Sequence, residues 1–511
     1  MRVPTSICNP TMWPPLLARH LDLLVAITVF GSCAYFFQGG GWNTSAHFAT
    51  TVALIEDHTF SIDRYRDSTG DVAHSPVGIV SVKPAGTALA SIPGYLLART
   101  VAAGIDNAGN RRIATAYLTS VFSSGVALTL VALVLLRMLR RRLAPRDAVV
   151  VALGITLATP LFPNSTTINS TAFVALTALS AYALLEESRL KHEPPGSARL
   201  LFAGLAAGLT PAFEYQTALV ILPLGLYACW QARTWRTALW FGLGLVLAAV
   251  VPLAHHSLVY GDPFHVGYAS FANPGMAHSA AVGFFGFDGF SLERLYDMTF
   301  GAKRGFFLLS PFLVAAAPGL VLGLKDHETR PEALTTGAVS WGVLLMIACL
   351  SYWHSGWGLA SRYAVLFVVF SAVPIALELP RHRGWMSLGL GAGLAFMVTA
   401  AAVAAAPPPE ARSGRTATVV GWLWDELTLG KLPFRKDPVL LEVGVGSGNA
   451  TWPSAFNGGQ LLGLSGWPSL APLAVFLSVM LGLLWVATHA TVPHSTTPQT
   501  MREPAAHRSR P

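Results

Sequence analysis

The chain has 511 residues, 53% of them hydrophobic and only 12% charged, and its mean hydropathy is +0.51. Soluble domains carry about 25% charged residues, so this composition excludes an ordinary soluble protein. The formal charge of +8 does not point to nucleic acid, because the basic residues sit in short loops between apolar runs, where they report membrane topology.

In chain order, apolar segments recur at Leu23–Gln38, Ala114–Leu136, Val149–Phe162, Thr171–Leu185, Leu200–Phe213, Thr217–Trp230 and Ala238–Leu253. They continue at Phe306–Leu324, Ala333–Ser351, Ala364–Leu377, Trp385–Ala406 and Ser469–Thr488. Measured against the ~20 residues that cross a bilayer, this predicts an all-α polytopic membrane protein with about twelve transmembrane helices. None of these cores contains Asp, Glu, Lys or Arg. A charge at mid-bilayer costs about 2.5–3.5 kcal/mol, so the chemistry is expected in the loops.

The loops at 137–146, 186–199, 231–236, 325–332 and 378–384 are basic and alternate with longer, less basic ones. Together with Arg2 and Arg19 at the start and Arg502, Arg508 and Arg510 in the tail, they define one side. The positive-inside rule makes that side cytoplasmic and places both termini there. The first span begins near residue 22 without a small-residue cleavage site, so it is expected to remain as an anchor. The organisation expected is one polytopic domain over 1–490 and a disordered cytoplasmic tail over 491–511. The four cysteines show no CxxC spacing.

Three long segments then face outward, about 41–113, 258–304 and 407–468, accompanied by short ones at 163–169, 214–216 and 353–362. A chain that only turned between helices would use about 2–8 residues. In the first loop, Asn43–Asp57 has helical spacing: Phe48, Ala49, Val52 and Ile55 share one face, while His47, Thr50, Thr51 and Glu56 fall elsewhere. That pattern predicts an interfacial helix lying in the headgroup plane. The stretch "VKPAGTALASIPGYLLART" (82–100) predicts a second interfacial helix, with Pro84 near its start and Gly94 interrupting it. The run "VLLEVGVGSGN" (439–449) has the look of a nucleotide loop. The residues after it, "ATWPSAFNGGQLLGLSGWP", are broken by Pro and Gly, so a short hairpin is expected there instead.

The same loops hold the candidate functional groups. Lys303 and Arg304 stand in "GAKRG" just before a span, Arg362 ends another outer loop, and Lys83 heads the second interfacial helix. Each suits a phosphate, Arg through its planar fork and Lys as a point charge. Trp42, Tyr215, Tyr268, Trp353 and Trp357 could stack on a sugar or serve as interfacial belt residues. His47, His74, His265 and His354 lack ligand spacing, so a divalent metal is not supported and no cofactor is assigned.

These segments resemble the GT-C superfamily of membrane glycosyltransferases, in particular a family 39-like bacterial branch related to protein mannosyltransferases and lipid A aminoarabinose transferase. The resemblance is carried by "NTSAHFATTVALIEDHTF", "VSVKPAGTALASIPGYLL", "GLTPAFEYQTALVILPLGLYA", "VYGDPFHVGY", "FGAKRGFFLLSPFLVAAAPGL" and "YWHSGWGLASRYAVLFVV", in that order. It implies a GT-C-like fold in a bacterial plasma membrane. The implied reaction moves a sugar from a polyprenyl-phosphate donor to a lipid, glycan or protein acceptor at the extracytoplasmic face.

Within the resemblance Lys83 matches the family's Lys, but the position of the usual base is Asn43 and the carboxylate before the Lys is replaced by Val82. An inverting transfer needs a carboxylate to take the acceptor proton and cations to hold the departing phosphate. The carboxylates near at hand are Asp63, Asp67, Asp71, Glu214 and Asp262. Asp71 and Asp63 are the preferred catalytic carboxylates, with Lys83. Lys303, Arg304 and Arg362 are assigned to phosphate, and Asn43, His47, Glu214, Tyr215, Asp262 and His265 to substrate. Two other functions fit the span count: a transporter or lipid flippase, or a catalytically inactive glycosyltransferase-like protein that binds a lipid-linked sugar. Transporters usually place polar groups near mid-membrane, and the spans here carry no charge.

Overall fold

The computed structural model describes residues 17–38, 41–407, 418–430, 432 and 450–490. The described residues are mostly helical. The labelled helices are α1 (Leu21–Ala34), α2 (Trp42–Val52), α3 (Gly86–Ala102), α4 (Ala108–Leu139), α5 (Pro145–Leu157), α6 (Thr171–Leu190) and α7 (Ser197–Phe213). They continue with α8 (Trp235–Tyr260), α9 (Leu292–Thr299), α10 (Arg330–Ala348), α11 (Arg383–Val403) and α12 (Ala471–Ala490). Between α2 and α3 lies a two-stranded antiparallel hairpin, β1 (Val72–Ser75) and β2 (Gly78–Ser81). A two-residue pairing of Phe36–Phe37 with Phe456–Asn457 joins the end of α1 to the segment before α12.

Against the expected twelve spans, five helices among the described residues are long and apolar enough to cross a membrane: α4, α8, α10, α11 and the segment Trp467–His489. Leu21–Ala34, Ser197–Phe213 and Pro311–Lys325 are shorter apolar helices. The expected span at Ala364–Leu377 divides into Val365–Phe370 and Ala372–Glu378. Pro374 explains the break, since it supplies no N–H and its ring crowds the carbonyl of Phe370 four residues back. Both pieces are almost wholly buried, so this segment is enclosed by other helices.

The two helices expected in the first loop occur at α2 and α3, but α2 differs from a one-sided amphipath. His47, Thr50 and Thr51 are buried along with Phe48, Ala49 and Val52. Thr51 Oγ1 donates to the Ala88 carbonyl of α3 at 3.1 Å, so the polar side of α2 packs against protein. The glycine-rich run at 439–449 and the tail from 491 lie outside the described residues.

Helix α7 packs on α8 at a distance that only glycine permits. A Cβ at Gly204 would lie 2.0 Å from the Phe241 carbonyl oxygen, and one at Gly244 would lie 2.2 Å from that of Leu201. Close backbone approach of this kind is how helices associate where no hydrophobic force separates side chain from lipid.

One end of the bundle is laced by ion pairs among the loops that the sequence assigned to one side. Asp22 accepts from Arg137 at 3.0 Å and Arg140 at 3.1 Å, Arg141 reaches Glu187 at 3.0 Å, and Arg383 reaches Asp147 at 2.7 Å. Deepest is Arg142, which meets Glu186 at 2.9 Å and Glu332 at 3.5 Å, both carboxylates being almost fully enclosed. Arg189 stands 5.9 Å from the Trp230 ring and bonds the Glu328 carbonyl. Ser170, just before α6, lies at the other end of the bundle: the 16 residues from there to Glu186 span about 24 Å of helix.

Removing one partner of a buried ion pair costs about 3–5 kcal/mol, because the other charge stays uncompensated. Arg142→Met should therefore lower the thermal unfolding temperature of the detergent-solubilised protein markedly, while Arg137→Ala, at an exposed pair, should leave it within about a degree or two. Equal effects would contradict this account of the basic end.

Candidate functional site

The hairpin sets the geometry of the opposite end. Val72 pairs with Ser81 and Ser75 with Gly78, leaving Pro76–Val77 as the turn. The ladder runs one step further, with Val82 N–H donating to the Asp71 carbonyl at 3.1 Å. Asp71 N–H is satisfied by Thr69 Oγ1 at 3.1 Å, and the same hydroxyl donates to the Trp42 carbonyl at the start of α2 at 2.8 Å. The Ser81 hydroxyl then accepts from Lys83 N–H at 3.1 Å, which ends the strand and turns the chain into Pro84. The result is that Lys83 Nζ meets Asp71 Oδ2 at 3.1 Å, with both side chains at least 94% buried.

The other edge of β1 carries the second outer segment. His74 N–H donates to Ser270 O at 3.1 Å and Ala272 N–H to Val72 O at 2.8 Å. This brings Tyr268 and Phe271, stacked at 5.4 Å, beside the ion pair, and Lys83 Nζ lies 6.0 Å from the Tyr268 ring centre. Gly86 allows α3 to begin against the end of α7, since a Cβ there would lie 2.3 Å from the Ala212 carbonyl oxygen.

Two residues on stands Glu214, buried. It accepts from Ser170 Oγ at 3.2 Å, Tyr268 Oη at 3.3 Å and Arg362 Nε at 3.4 Å. Arg362 is also fixed from the loop before it: its N–H donates to Ser355 Oγ at 3.0 Å and its guanidinium to the Ser355 carbonyl. Ser355 holds φ at +55°, a conformation that costs energy for a residue other than glycine and tends to occur where function requires it.

Around these groups is a cavity of about 280 Å³. Its polar wall is formed by Asn43, Asp71, Lys83, Gln216 and Arg362, and its aromatic wall by Trp42, Tyr268, Tyr352, Trp357 and Tyr363. Phe271, Met276, Phe285 and Leu350 close an apolar side. Asp71 Oδ1, both amide atoms of Asn43 and Gln216 Oε1 are buried without a hydrogen-bond partner among the described residues. An unmade hydrogen bond at a buried polar atom costs about 1–3 kcal/mol, so these atoms suit a polar ligand in the cavity.

The electrostatics separate the cations. Burial lowers the Lys83 pKa, with Asp71 acting the other way and Arg362 adding to the depression. Burial also opposes the charge of Arg362, but Tyr363, Glu214 and Tyr268 outweigh it and hold the guanidinium above its ordinary value. His47 is pulled down to about 3 by burial, then by the charges of Lys83 and Arg362, so it is a neutral ring.

The remaining sequence candidates lie elsewhere. Asp63 is at the surface, where Oδ1 accepts from Ile79 N–H at 3.1 Å and Oδ2 from Ser61 Oγ at 2.8 Å, bracing the hairpin instead of lining the cavity. Arg304 is buried and donates to the His354 carbonyl at 2.6 Å, holding the loop that precedes Arg362, and burial lowers its pKa to about 10. Lys303 is exposed outside the cavity lining. His47 lines a separate small void beside Lys83. Tyr215 bonds His256 at 2.8 Å, Asp262 Oδ1 accepts from Phe264 N–H, and His265 bonds Ser270 Oγ at 2.7 Å. None of these three lines the cavity.

Gln216, Tyr352 and Tyr363 join the cavity without having been singled out in sequence. Gln216 and Tyr363 neighbour flagged residues, but nothing in their spacing distinguished them. Among the described residues no group of three or more His, Cys, Asp or Glu could hold a metal ion. Among them, too, the one carboxylate lining the cavity is already committed to Lys83.

The fold and this cavity define a helical membrane protein with a buried, charge-paired pocket at one end of its bundle. No family model matches the chain, and no curated protein matches it. Among solved structures it is similar to the crystal structure of ArnT from Cupriavidus metallidurans bound to undecaprenyl phosphate, at 15% sequence identity and a TM-score of 0.46. The match covers 94% of this chain and 75% of that one.

Lys83→Met leaves the Asp71 carboxylate buried without its cation and should destabilise the protein by about 3–5 kcal/mol. Adding Asp71→Asn should recover most of that loss, as a double-mutant cycle in thermal unfolding would register. Additive losses would mean that the two side chains do not depend on one another.

Proposed function

We propose that this protein is an integral membrane glycosyltransferase that moves a sugar from a polyprenyl-phosphate donor to an acceptor hydroxyl in the cavity at the extracytoplasmic face. The observation that carries this reading is Asp71: a buried carboxylate in the cavity lining, with one oxygen held by Lys83 and the other unpartnered among the described residues. In the proposed step the acceptor oxygen attacks the anomeric carbon while its proton passes to Asp71. The bond from that carbon to the phosphate oxygen breaks, and polyprenyl phosphate leaves with the electron pair. Arg362 and Lys83 face the cavity and would stabilise the phosphate charge. The aromatic wall offers ring faces to a sugar, and Asn43 and Gln216 offer neutral amides to its hydroxyls. Glu214 is a positioning residue that holds Arg362 and Tyr268 in place. The resemblance to GT-C glycosyltransferases supports the donor class, and the basic end then faces the cytoplasm of a bacterial plasma membrane.

Purified protein in lipid, given a polyprenyl-phosphate sugar and acceptor, should release polyprenyl phosphate. Asp71→Asn should lower turnover by about 10²–10⁴-fold, the usual contribution of a general base, measured per folded molecule because Lys83 then loses its buried partner. Asp63→Asn, outside the cavity, should stay within about threefold. An unchanged rate in Asp71→Asn would remove Asp71 as the base, and sugar counterflow in sealed vesicles without bond cleavage would favour transport.

Because the Lys83 pKa lies below the ordinary lysine value of 10.5, its ammonium is lost at a lower pH than an exposed lysine's. Turnover should therefore fall on the alkaline side before pH 10.5, and Lys83→Arg, whose guanidinium stays charged, should move that limb upward. A limb that stays put in the variant would assign it to another group.

A further inference from the structure

A second cavity, of about 320 Å³, lies away from the proposed catalytic pocket, between α5, α11 and α12 with one residue of α1. Its walls are Val149, Leu153 and Leu157 of α5, Leu390 and Leu394 of α11, and Leu481 of α12, and its polar residues are Thr28, Thr488 and Arg146. Both hydroxyls are already spent on carbonyls of their own helices. The slot is therefore apolar along its length and cationic at one end.

Its dimensions match one leaflet. The lining runs along α5 from Arg146 to Ala158 and along α12 from Thr488 to Leu477, about 18 and 17 Å at ~1.5 Å per residue. Half of a ~30 Å hydrocarbon core is close to that depth. Arg146, Trp485 and Thr488 mark one mouth, at the basic end, where a tryptophan suits the headgroup level.

The charge at that mouth is also particular. Arg137, Arg140, Arg141, Arg142 and Arg383 each have a carboxylate partner. Arg146 forms no ion pair with any described residue, and it sits where the apolar slot reaches the interface. A ligand that fills the slot and answers this charge is an aliphatic chain ending in an anionic phosphate.

We propose that this slot binds one acyl chain of an anionic phospholipid, whose headgroup phosphate pairs with Arg146. The slot is lined by three helices, so its lipid acts as part of the bundle. It does not depend on the glycosyltransferase reading.

The test uses the full-length protein in mild detergent. Native mass spectrometry should find about one retained phospholipid, and phosphatidylglycerol should bind about fivefold tighter than phosphatidylcholine, the preference one basic residue gives near anionic lipid. Arg146→Gln should abolish that preference while leaving chain binding. A Cβ at Gly391, in the slot lining, meets nothing within 4 Å, so Gly391→Phe has room where its side chain begins and should plug the slot and end retention. Leu394→Phe, on the same wall, is the second plug should the first fail to fold. Equal affinity for the two lipids in the unaltered protein, retention undiminished in a folded plug variant, or a second copy of the chain covering α12 in place of lipid would each overturn the proposal.

Discussion

The ion pair between Asp71 and Lys83 is the constraint around which the cavity end is arranged. Taking a carboxylate and an ammonium out of water costs several kcal/mol for each ion, and their attraction repays it only when geometry and hydrogen bonding are good. Here the geometry comes from backbone: Thr69 holds the Asp71 N–H, Val82 holds its carbonyl, and Ser81 turns Lys83 back toward it. The pair leaves Asp71 Oδ1 with nothing to bond among the described residues. Glu186 Oε2 and Glu332 Oε2 at the basic end likewise have no hydrogen-bond partner among the described residues, so what sets Asp71 apart is its place in the cavity lining, on which the proposed function rests.

A second pair repeats the logic at lower intimacy. Glu214 neutralises Arg362 from behind while Ser170 and Tyr268 also donate to it. Each cavity cation thus has one buried carboxylate, and the two pairs are joined through Tyr268, which contacts Glu214 and lies over Lys83. At the far end of the bundle the carboxylates of Asp22, Glu186 and Glu332 do the opposite work, tying basic loops to one another. The apolar middle keeps these two charged layers apart, since transferring charge through it is costly.

Much of this was legible in the chain. Apolar runs marked the helices, and the absence of charge in their cores directed the search to the loops, whose Asp71, Lys83 and Arg362 line one cavity. What composition could not separate was Asp63 from Asp71, eight residues apart in one loop. Hairpin register separates them: one carboxylate accepts Ile79 N–H beside the turn, while the other reaches Lys83 past the far end of the ladder. Likewise Arg304 reads as a phosphate ligand in sequence, yet its guanidinium is used on the His354 carbonyl. The one-sided reading of α2 also failed, because α3 covers the side that its threonines occupy. Each of these outcomes depends on pairings distant in the chain, which local patterns do not encode.

Asn43 becomes intelligible once charge is considered over the whole cavity. With Asp71 on Lys83 and Glu214 on Arg362, the two pairs are internally neutral. A carboxylate at position 43 would add a negative charge to a lining whose cations are already engaged, and burial would make it costly. An amide avoids that cost while still presenting a donor and an acceptor, both unpartnered among the described residues. Under the proposed function the base has therefore moved rather than vanished. Position 43 recognises neutral substrate atoms, and proton transfer falls to the carboxylate that the hairpin delivers to the same space.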